Sequence, residues 1–203
     1  MTTIGWVFIG LFIGLSLIFL GFLIWFNYKK KHLIFEIFKK LEVDNQSFIN
    51  NDYPQLTVNP IKVKIKLQRN EVVYYTTAIS SYLMPLLDKK QVSNYSKSKY
   101  VIEFPGGINV GYTGKNRFLK NPVPVVFQEG YLFITNQRIL IVNPEITTIW
   151  ELTKITNLEL SIIRINQRLY QGFFLYYEQS KYFIISNDLK TPYLIKKVQT
   201  EGE

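Results

Sequence analysis

The chain contains no cysteine and a single histidine, His32. The lack of cysteine excludes a disulfide framework, a thiolate zinc site and a cysteine nucleophile. One histidine cannot form a histidine cluster, and a serine–histidine pair would have to use His32, directly beside an apolar segment. The 15 acidic residues are scattered along the chain without metal-like spacing. We therefore predict that the protein is not an enzyme and uses no cofactor and no metal.

Charge is also missing from residues 1–28, although the chain as a whole carries a net charge of +9. The whole excess of Lys and Arg therefore lies after this segment. Such an excess favours anionic membrane surfaces, nucleic acid or acidic protein partners. We expect no nucleic-acid binding, because the chain lacks the full aromatic pattern of an RNA-binding strand and a membrane anchor would be unusual for that role.

An uncharged apolar run occupies residues 4–26. At about 1.5 Å per residue, a helix of this length exceeds the roughly 30 Å core of a bilayer. A cleaved signal peptide would need a basic start, a shorter apolar stretch and a small-residue cleavage site, and the sequence has none of these. The pattern predicts one transmembrane anchor over residues 1–28.

The flanks of this run predict its orientation and its contacts with the membrane interface. Trp6 lies near one end and Trp25 and Tyr28 near the other, as in the aromatic belts of membrane helices. Three basic residues follow at once: Lys29, Lys30 and Lys31. The positive-inside rule then places the N-terminus outside and everything after Lys29 in the cytoplasm.

Gly10 and Gly14 are four residues apart within the anchor. This small-xxx-small spacing lets two helices approach closely, so it is compatible with a homo-oligomer. Glycine is also common in membrane helices without any such role, and both interpretations remain open.

Residues 29–60 are predicted to form a basic amphipathic stalk and a linker. Apolar residues recur at helical spacing between Leu33 and Leu41, with lysines mostly on the other side. This face either lies on an anionic leaflet or packs on the following domain or a sister chain. The polar run 44–55 is predicted to be an irregular linker, because Pro54 and Pro60 disfavour regular helix.

From residue 61 the hydrophobic pattern changes to period two, which predicts strands. The predicted strands cover residues 61–67, 72–80, 100–104, 123–127, 130–135, 138–142, 147–152, 157–165, 169–177 and 181–186. Residues 187–198 predict a short terminal helix that Asp188 caps, with Pro192 in its first turn. The fold class is therefore mainly β, with a transmembrane helix before an antiparallel, partly open barrel or sandwich over residues 61–203.

Two sets of basic residues are candidates for anionic-lipid or partner contacts. The first set belongs to the predicted strand 61–67, where a lysine row either faces phosphates or protects a sheet edge from aggregation; it consists of Lys62, Lys64 and Lys66. The second set lies in and after the glycine-rich segment 106–116, and it consists of Lys115, Arg117 and Lys120.

The glycine-rich segment itself departs from a nucleotide-binding loop. A phosphate loop needs glycine where Asn109 stands and Ser or Thr where Asn116 stands, and it must open a helix. Two prolines follow instead, at positions 122 and 124. We predict a flexible loop that does not bind nucleotide.

The stretch EGYLFITNQRILIV, residues 129–142, resembles a hallmark of PH-like domains of the GRAM and bacterial PH type. Gly130 is expected to open a strand, Thr135 and Asn136 to form a hairpin turn, and Arg138 to begin the returning strand in a structural role. Residues 67–75 and 147–160 are similar to the family's flanking strands. The resemblance implies a partly open, seven-stranded barrel that a C-terminal helix closes at one end, and a domain that binds lipid headgroups, peptides or proteins.

These features lead to two functional hypotheses. The first is a membrane-anchored scaffold or accessory subunit whose PH-like domain binds a protein partner, because the anchor already supplies membrane attachment. The alternative is a sensor domain that docks on anionic lipid headgroups of its own membrane.

Overall fold

A computed structural model describes residues 3–84, 100–112, 125–165 and 168–201 of the 203-residue chain. The chain divides into two compact units, Met1–Leu41 and Glu42–Glu203.

The first unit is part of one long helix, α1, which covers Thr3–Ser47. Its sequence is rich in Leu, Ile and Phe and contains no proline, which favours an uninterrupted helix. Within it, Gly10–Lys29 is the one helical stretch of the described residues that is long and apolar enough to cross a membrane. The large apolar side chains of this stretch are exposed. The predicted apolar N-terminal helix is therefore present.

The stalk continues α1 without a break. Lys39 and Lys40 are exposed, whereas Phe38 and Leu41 are buried. This two-sided distribution agrees with the amphipathic pattern of the sequence. The surface that its apolar side meets in the cell stays a prediction.

The predicted irregular linker over residues 44–55 is wrong. Helix α1 runs to Ser47, and a π-helical turn over Phe48–Asp52 and a 3₁₀ turn over Tyr53–Gln55 follow. The reason is tertiary: the rings of Phe48 and Tyr53 both pack on Tyr193 of the C-terminal helix, with centroids 5.0 and 5.1 Å away. Such contacts override the weak helix propensity of a polar segment.

The second unit is built on nine strands and one helix. The strands are β1 Val73–Leu83, β2 Tyr100–Ile102, β3 Asn109–Tyr112, β4 Val125–Thr135, β5 Arg138–Val142, β6 Thr147–Glu151, β7 Ile155–Ile165, β8 Arg168–Tyr177 and β9 Ser180–Ile185. They form one open sheet in the order β2-β3-β7-β8-β9-β1-β4-β5-β6. The mainly β fold is therefore confirmed.

The sheet is mixed, which corrects the prediction of a purely antiparallel one. Strand β3 pairs in parallel with β7, through Asn109 opposite Glu159 and Gly111 opposite Ser161. Four residues of the predicted flexible loop thus belong to a strand. Gly111 fits there because a Cβ atom would collide with the carboxylate of Glu159.

The predicted strand over residues 61–67 is also wrong. Ile61 makes an isolated bridge to Val73, and residues 62–67 belong to no strand. The side chains keep the alternation of the sequence, with the lysines exposed and Val63, Ile65 and Leu67 half-buried. Pairing with β1 stops at Ile61, although β9 pairs only with Ser80–Leu83 of β1; the end of the segment is instead bonded to the β4–β5 turn through Asn136 and Gln137.

Strand β4 joins two segments that the sequence predicts as separate strands. Gly130 lies inside it, opposite Ile79 of β1, and does not open a strand as expected. A Cβ atom at Gly130 would collide with the carbonyl oxygen of Val142 on β5. Glycine is thus needed here for the close approach of two strands.

The predicted terminal helix is confirmed as α2, Lys190–Glu201, with Pro192 in its first turn. Asp188 Oδ1 accepts a hydrogen bond of 2.8 Å from the backbone amide of Lys190, which supports the predicted capping role. The inner side of α2 is buried through Tyr193, Leu194 and Ile195. The core also contains Trp150, whose ring lies 4.8 Å from that of Tyr182.

Candidate interaction surfaces

Four cations lie close together in the chain between Pro60 and β1. We call residues 62–69 the basic loop; its cations are Lys62, Lys64, Lys66 and Arg69. All four residues are exposed, and none belongs to the ion pairs found among the described residues. Since no strand forms here, these lysines do not shield a sheet edge. Their charge is directed to solvent or to an anionic surface.

The basic loop is held at both ends. At its start, the amide of Ile61 donates a hydrogen bond of 2.7 Å to the carbonyl of Val73. At its end, the side chains of Asn136 and Gln137 donate to the carbonyls of Asn70 and Arg69, at 3.1 and 3.3 Å. The hairpin turn between β4 and β5 thus holds the end of the basic loop in place.

A buried ion pair lies beneath this junction. Arg138 Nε and Nη2 donate to the two carboxylate oxygens of Glu71 at 2.8 and 2.9 Å. The exposed fraction of the side chain is 0% for Glu71 and 12% for Arg138. Thr135 Oγ1 and the amide of Gln68 also donate to Glu71, at 2.9 and 2.7 Å. Every oxygen of this carboxylate is therefore engaged.

Burial by itself would raise the pKa of Glu71. The hydrogen bonds from Arg138, Gln68 and Thr135, together with the charge of Arg138, outweigh burial and hold that pKa below its ordinary value of 4.5. The carboxylate stays ionised and is neutralised by its own arginine. It therefore does not cancel the charge of the neighbouring basic loop.

This geometry confirms the structural role predicted for Arg138 and the turn predicted at Thr135 and Asn136. Sequence reasoning did not identify Glu71 as the partner, because the two residues are 67 positions apart. The signal in the sequence that could have pointed to Glu71 is its place in residues 67–75, the stretch that is similar to the family's first strand.

A second surface is apolar and was not predicted. We call it the apolar face: two exposed residues on the outer side of the sheet, Tyr131 of β4 and Ile149 of β6, with exposed fractions of 60% and 46%. Tyr131 is opposite Val142, which is half-buried, and Ile149 is opposite Leu140, which is buried. Cross-strand neighbours share one side of a sheet, so the two β5 residues connect Tyr131 and Ile149 on that side.

Acidic residues surround the apolar face, although the protein is basic overall. Glu129 and Glu145 are exposed near the β5–β6 turn, and Glu151 is exposed at the end of β6. Lys154 Nζ lies 3.3 Å from both Glu151 and Glu178, so two carboxylates share one ammonium group. Hydrogen bonds to Glu151 and Glu178 raise the pKa of Lys154. The rim therefore keeps a net negative charge.

A buried polar cluster lies elsewhere, on β7, β8 and β9. The hydroxyl of Tyr176 donates to Glu159 at 2.9 Å, and Lys181 Nζ lies 3.7 Å from the ring centroid of Phe174. Burial lowers the pKa of Lys181, an effect that the charge of Glu159 opposes. Burial and the nearby carboxylate of Glu159 raise the pKa of Tyr176. The cluster places a carboxylate and a cation together inside the sheet, which limits the cost of burying each.

The remaining predicted contacts lie on α1 or outside the described residues. Trp6, Lys30 and Lys31 are on α1, but their side chains are not described. Trp25, Tyr28 and Lys29 are exposed, with Lys29 Nζ 4.9 Å from the Trp25 ring centroid. An added Cβ atom at Gly10 or Gly14 would meet nothing within 4 Å. The second basic set, Lys115, Arg117 and Lys120, lies outside the described residues.

Within the described ranges, no group of three or more His, Asp or Glu side chains is placed to hold a metal ion. The chain matches no protein-family model and no curated protein. Arguments about its function therefore depend on its own residues and on the resemblance carried by residues 129–142.

Proposed function

We propose that this protein is a single-pass membrane protein whose cytoplasmic PH-like domain, residues 61–203, binds a protein partner at the membrane. The proposal is carried by the exposed apolar face formed by Tyr131 and Ile149. Contiguous exposed apolar residues with a polar rim are typical of protein–protein interfaces. The role is that of a scaffold or accessory subunit.

Membrane attachment is supported by the helical stretch Gly10–Lys29, which has the length and polarity of a membrane span. The proposed orientation depends on the three lysines that follow the apolar run, since basic residues remain on the cytoplasmic side. Exposed aromatic residues at this end, Trp25 and Tyr28, suit the membrane interface.

The assignment as PH-like is supported by the strand order. Setting aside β2 and β3, seven strands remain, β1 and β4–β9, with α2 after the last of them. Strand β1 pairs with β4 on one side and β9 on the other, so it joins two antiparallel meanders. A seven-stranded, partly open sheet with a C-terminal helix is what the resemblance implies. Strands β2 and β3 are then an insertion between β1 and β4, which correspond to the first and second strands of the seven-stranded pattern.

The proposal is tested by purifying the full chain from its native membranes with and without the double change Tyr131→Ser and Ile149→Ser. We expect one or more proteins to co-purify with the unchanged chain and to be lost from the double variant. Ile61→Ser, which changes an exposed isoleucine outside the apolar face, is the matched control and should retain them. Equal recovery of all co-purifying proteins from the double variant and from Ile61→Ser would contradict the proposal.

A second function, docking on anionic lipid, is favoured by the basic loop. Its four exposed cations are held in place by the β4–β5 turn. Each basic residue close to an anionic leaflet contributes about 1 kcal/mol. Because the loop and the membrane anchor belong to one chain, the local concentration of lipid headgroups around the loop is high.

This second function is tested by lysine acylation of the full chain in nanodiscs of neutral or anionic lipid at physiological salt. Docking predicts slower modification of Lys62, Lys64 and Lys66 in anionic discs, with Lys190, an exposed lysine at the start of α2, as the internal reference. Equal rates for all four lysines in both lipids would remove lipid docking and leave the loop as a solvated surface.

A further inference from the structure

Strand β6 forms one edge of the sheet. It is the last strand in the order, and among the described strands its one neighbour is β5. An edge strand presents unpaired backbone groups to other chains unless proline, charge or a bulge protects it. Residues Thr147–Trp150 contain no proline and no charged side chain. Glu151 is the one charged residue of β6, and no other described strand pairs with its outward side, so among the described residues this edge is open to pairing.

The positions of the free backbone groups follow from the register. Hydrogen bonds from Asn143 N to Ile146 O, 3.1 Å, and from Leu152 N to Gln137 O, 3.4 Å, mark the two ends of the β5–β6 pair. Hydrogen-bonded and non-hydrogen-bonded pairs alternate between antiparallel strands. Thr148 and Trp150 therefore bond to β5.

The alternate residues of β6 direct their backbone groups away from β5; they are Thr147, Ile149 and Glu151. Their side chains lie on the outer side of the sheet, together with Tyr131. Ile149 therefore contributes both a free hydrogen-bonding edge and part of the apolar face.

We infer that β6 and the apolar face bind an extended strand of a partner protein that carries basic residues beside apolar ones. This inference rests on the proposed protein-binding function and names the chemistry of its partner. The added strand hydrogen-bonds to Thr147, Ile149 and Glu151, as in binding by strand addition. Its residue opposite Ile149 is apolar, and the residue opposite Glu151 is basic.

Charge complementarity selects this partner over others. The carboxylates of Glu129, Glu145 and Glu151 surround the site, with Lys154 as the cation shared between Glu151 and Glu178. A basic strand gains attraction from this rim, whereas an acidic strand is repelled. The rest of the protein is basic, with a net charge of +9 for the whole chain, so the acidic rim distinguishes this edge from other surfaces.

The inference is tested with a synthetic peptide, TKTVTKTVT, whose lysines and valines alternate along one side of the extended strand, so that a valine opposite Ile149 places a lysine opposite Glu151. Its binding to the full chain in neutral-lipid nanodiscs is followed by fluorescence polarisation. We expect saturable binding at physiological salt, and no binding when each lysine of the peptide is replaced by glutamate. Hydrogen exchange of the Thr147 and Ile149 amides should slow when the peptide is bound.

Two variants separate strand addition from simple side-chain contact. Ile149→Ala removes apolar surface but keeps the outward N–H, whereas Ile149→Pro also removes that N–H without breaking a bond to β5. Strand addition predicts weaker binding for Ile149→Ala and none for Ile149→Pro. Equal binding by the two variants, each with the fluorescence of buried Trp150 unchanged, would overturn strand addition. The protein-binding function would still stand if Tyr131→Ser abolished the interaction.

A second copy of this chain is the competing occupant. The chain has no cysteine, so Ile149→Cys introduces a unique thiol. In an antiparallel β6–β6 pair centred on Ile149, the two Cα atoms would be about 5.5 Å apart, which suits a disulfide. Rapid disulfide dimerisation of this variant in membranes, absent from a Thr76→Cys control, would overturn the assignment of the edge to a partner protein.

Discussion

The two edges of the sheet differ. At one edge, β2 and β3 extend the sheet beyond β7, and the residue before β3 is held by side chains: Tyr193 Oη accepts from the amide of Ile108 at 3.0 Å, and Asn45 donates to the carbonyl of Ile108 at 3.2 Å. Ser161 Oγ donates to the carbonyl of Gly111 at 2.8 Å. At the other edge, β6 leaves the outward groups of Thr147, Ile149 and Glu151 without a strand partner among the described residues.

The chain thus extends its sheet beyond β7 with its own residues, and we call this the covered side; no described strand lies beyond β6, and we call this the open side. The covered side contains buried polar atoms with partners from α1, β7 and α2, so changes there should act on stability. The open side contains exposed apolar residues within an acidic rim, so changes there should act on binding.

The largest effect is expected at the ion pair that supports the start of β5. Arg138→Met leaves the buried carboxylate of Glu71 without its cation, which should lower the free energy of unfolding by about 3–5 kcal/mol. The measurement is urea unfolding of the solubilised chain, followed by Trp150 fluorescence in a Trp6→Phe, Trp25→Phe background. Lys154→Met, which breaks exposed pairs with Glu151 and Glu178, is the control and should have a much smaller effect because solvent screens these charges. Similar losses for both would contradict the role of burial.

A smaller effect is expected on the covered side. Tyr193→Phe leaves the amide of Ile108 and the side chain of Asn45 without their shared hydroxyl, at a cost of about 1–3 kcal/mol in the free energy of unfolding. Hydrogen exchange of the Ile108 amide should become faster. The comparison variant is Tyr75→Phe, whose hydroxyl bonds to Asp188 on the exposed surface, and it should change stability little. An unchanged exchange rate in Tyr193→Phe would mean that this hydroxyl does not hold β3.

The same ion pair predicts a dependence on pH. The folded-state pKa of Glu71 is depressed, so its stabilisation is fully present above the ordinary value of 4.5 and is lost as pH falls through the folded-state pKa. Unfolding free energies measured from pH 7 to 3 should fall below about pH 4.5, and the fall should be shallower in Glu71→Gln. Glu145→Gln, at an exposed position, should follow the unchanged protein. Parallel curves for all three proteins would exclude Glu71 as a source of the acid sensitivity.

The smallest effect is expected at the open edge, β6, where two adjacent positions can be compared directly. Ile149→Pro removes an N–H that points to solvent and should alter the free energy of unfolding by no more than about 1 kcal/mol. Thr148→Pro, one residue away, removes a donor to β5 and should cost about 1–3 kcal/mol. Equal losses at the two positions would show that both N–H groups are bonded, and β6 would then not be a free edge.

Much of the fold was predictable because its signals are local. The strands β5, β6, β8 and β9 lie within one or two residues of their predicted bounds, since each alternates over a short stretch and ends at polar turns. The cap by Asp188 depends on residues two positions apart. The alternation in residues 61–67 predicted a strand just as clearly and failed, because alternation shows which side chains face the core and not whether the backbone pairs with a neighbouring strand.

The candidate surfaces were less predictable. The lysines of the basic loop were identified from their spacing, but their anchoring by Asn136 and Gln137 joins residues more than 60 positions apart. The apolar face was not predicted, because the sequence TTIWE of β6 is typical of an ordinary half-buried strand. The two apolar residues of β6 lie on opposite sides of the sheet: Trp150 is buried and Ile149 is exposed.

The sequence by itself determined the apolar helix, the mainly β character, the turn at Thr135 and Asn136 and the terminal helix, because each depends on residues that are close in the chain. The tertiary structure alone decided that Glu71 pairs with Arg138, that β3 joins β7 in parallel and that residues 44–55 fold onto Tyr193. It also decided that β6 remains an edge. The physical reason is competition: each strand has two sides, and which of them stays unpaired depends on where every other segment of the chain is placed.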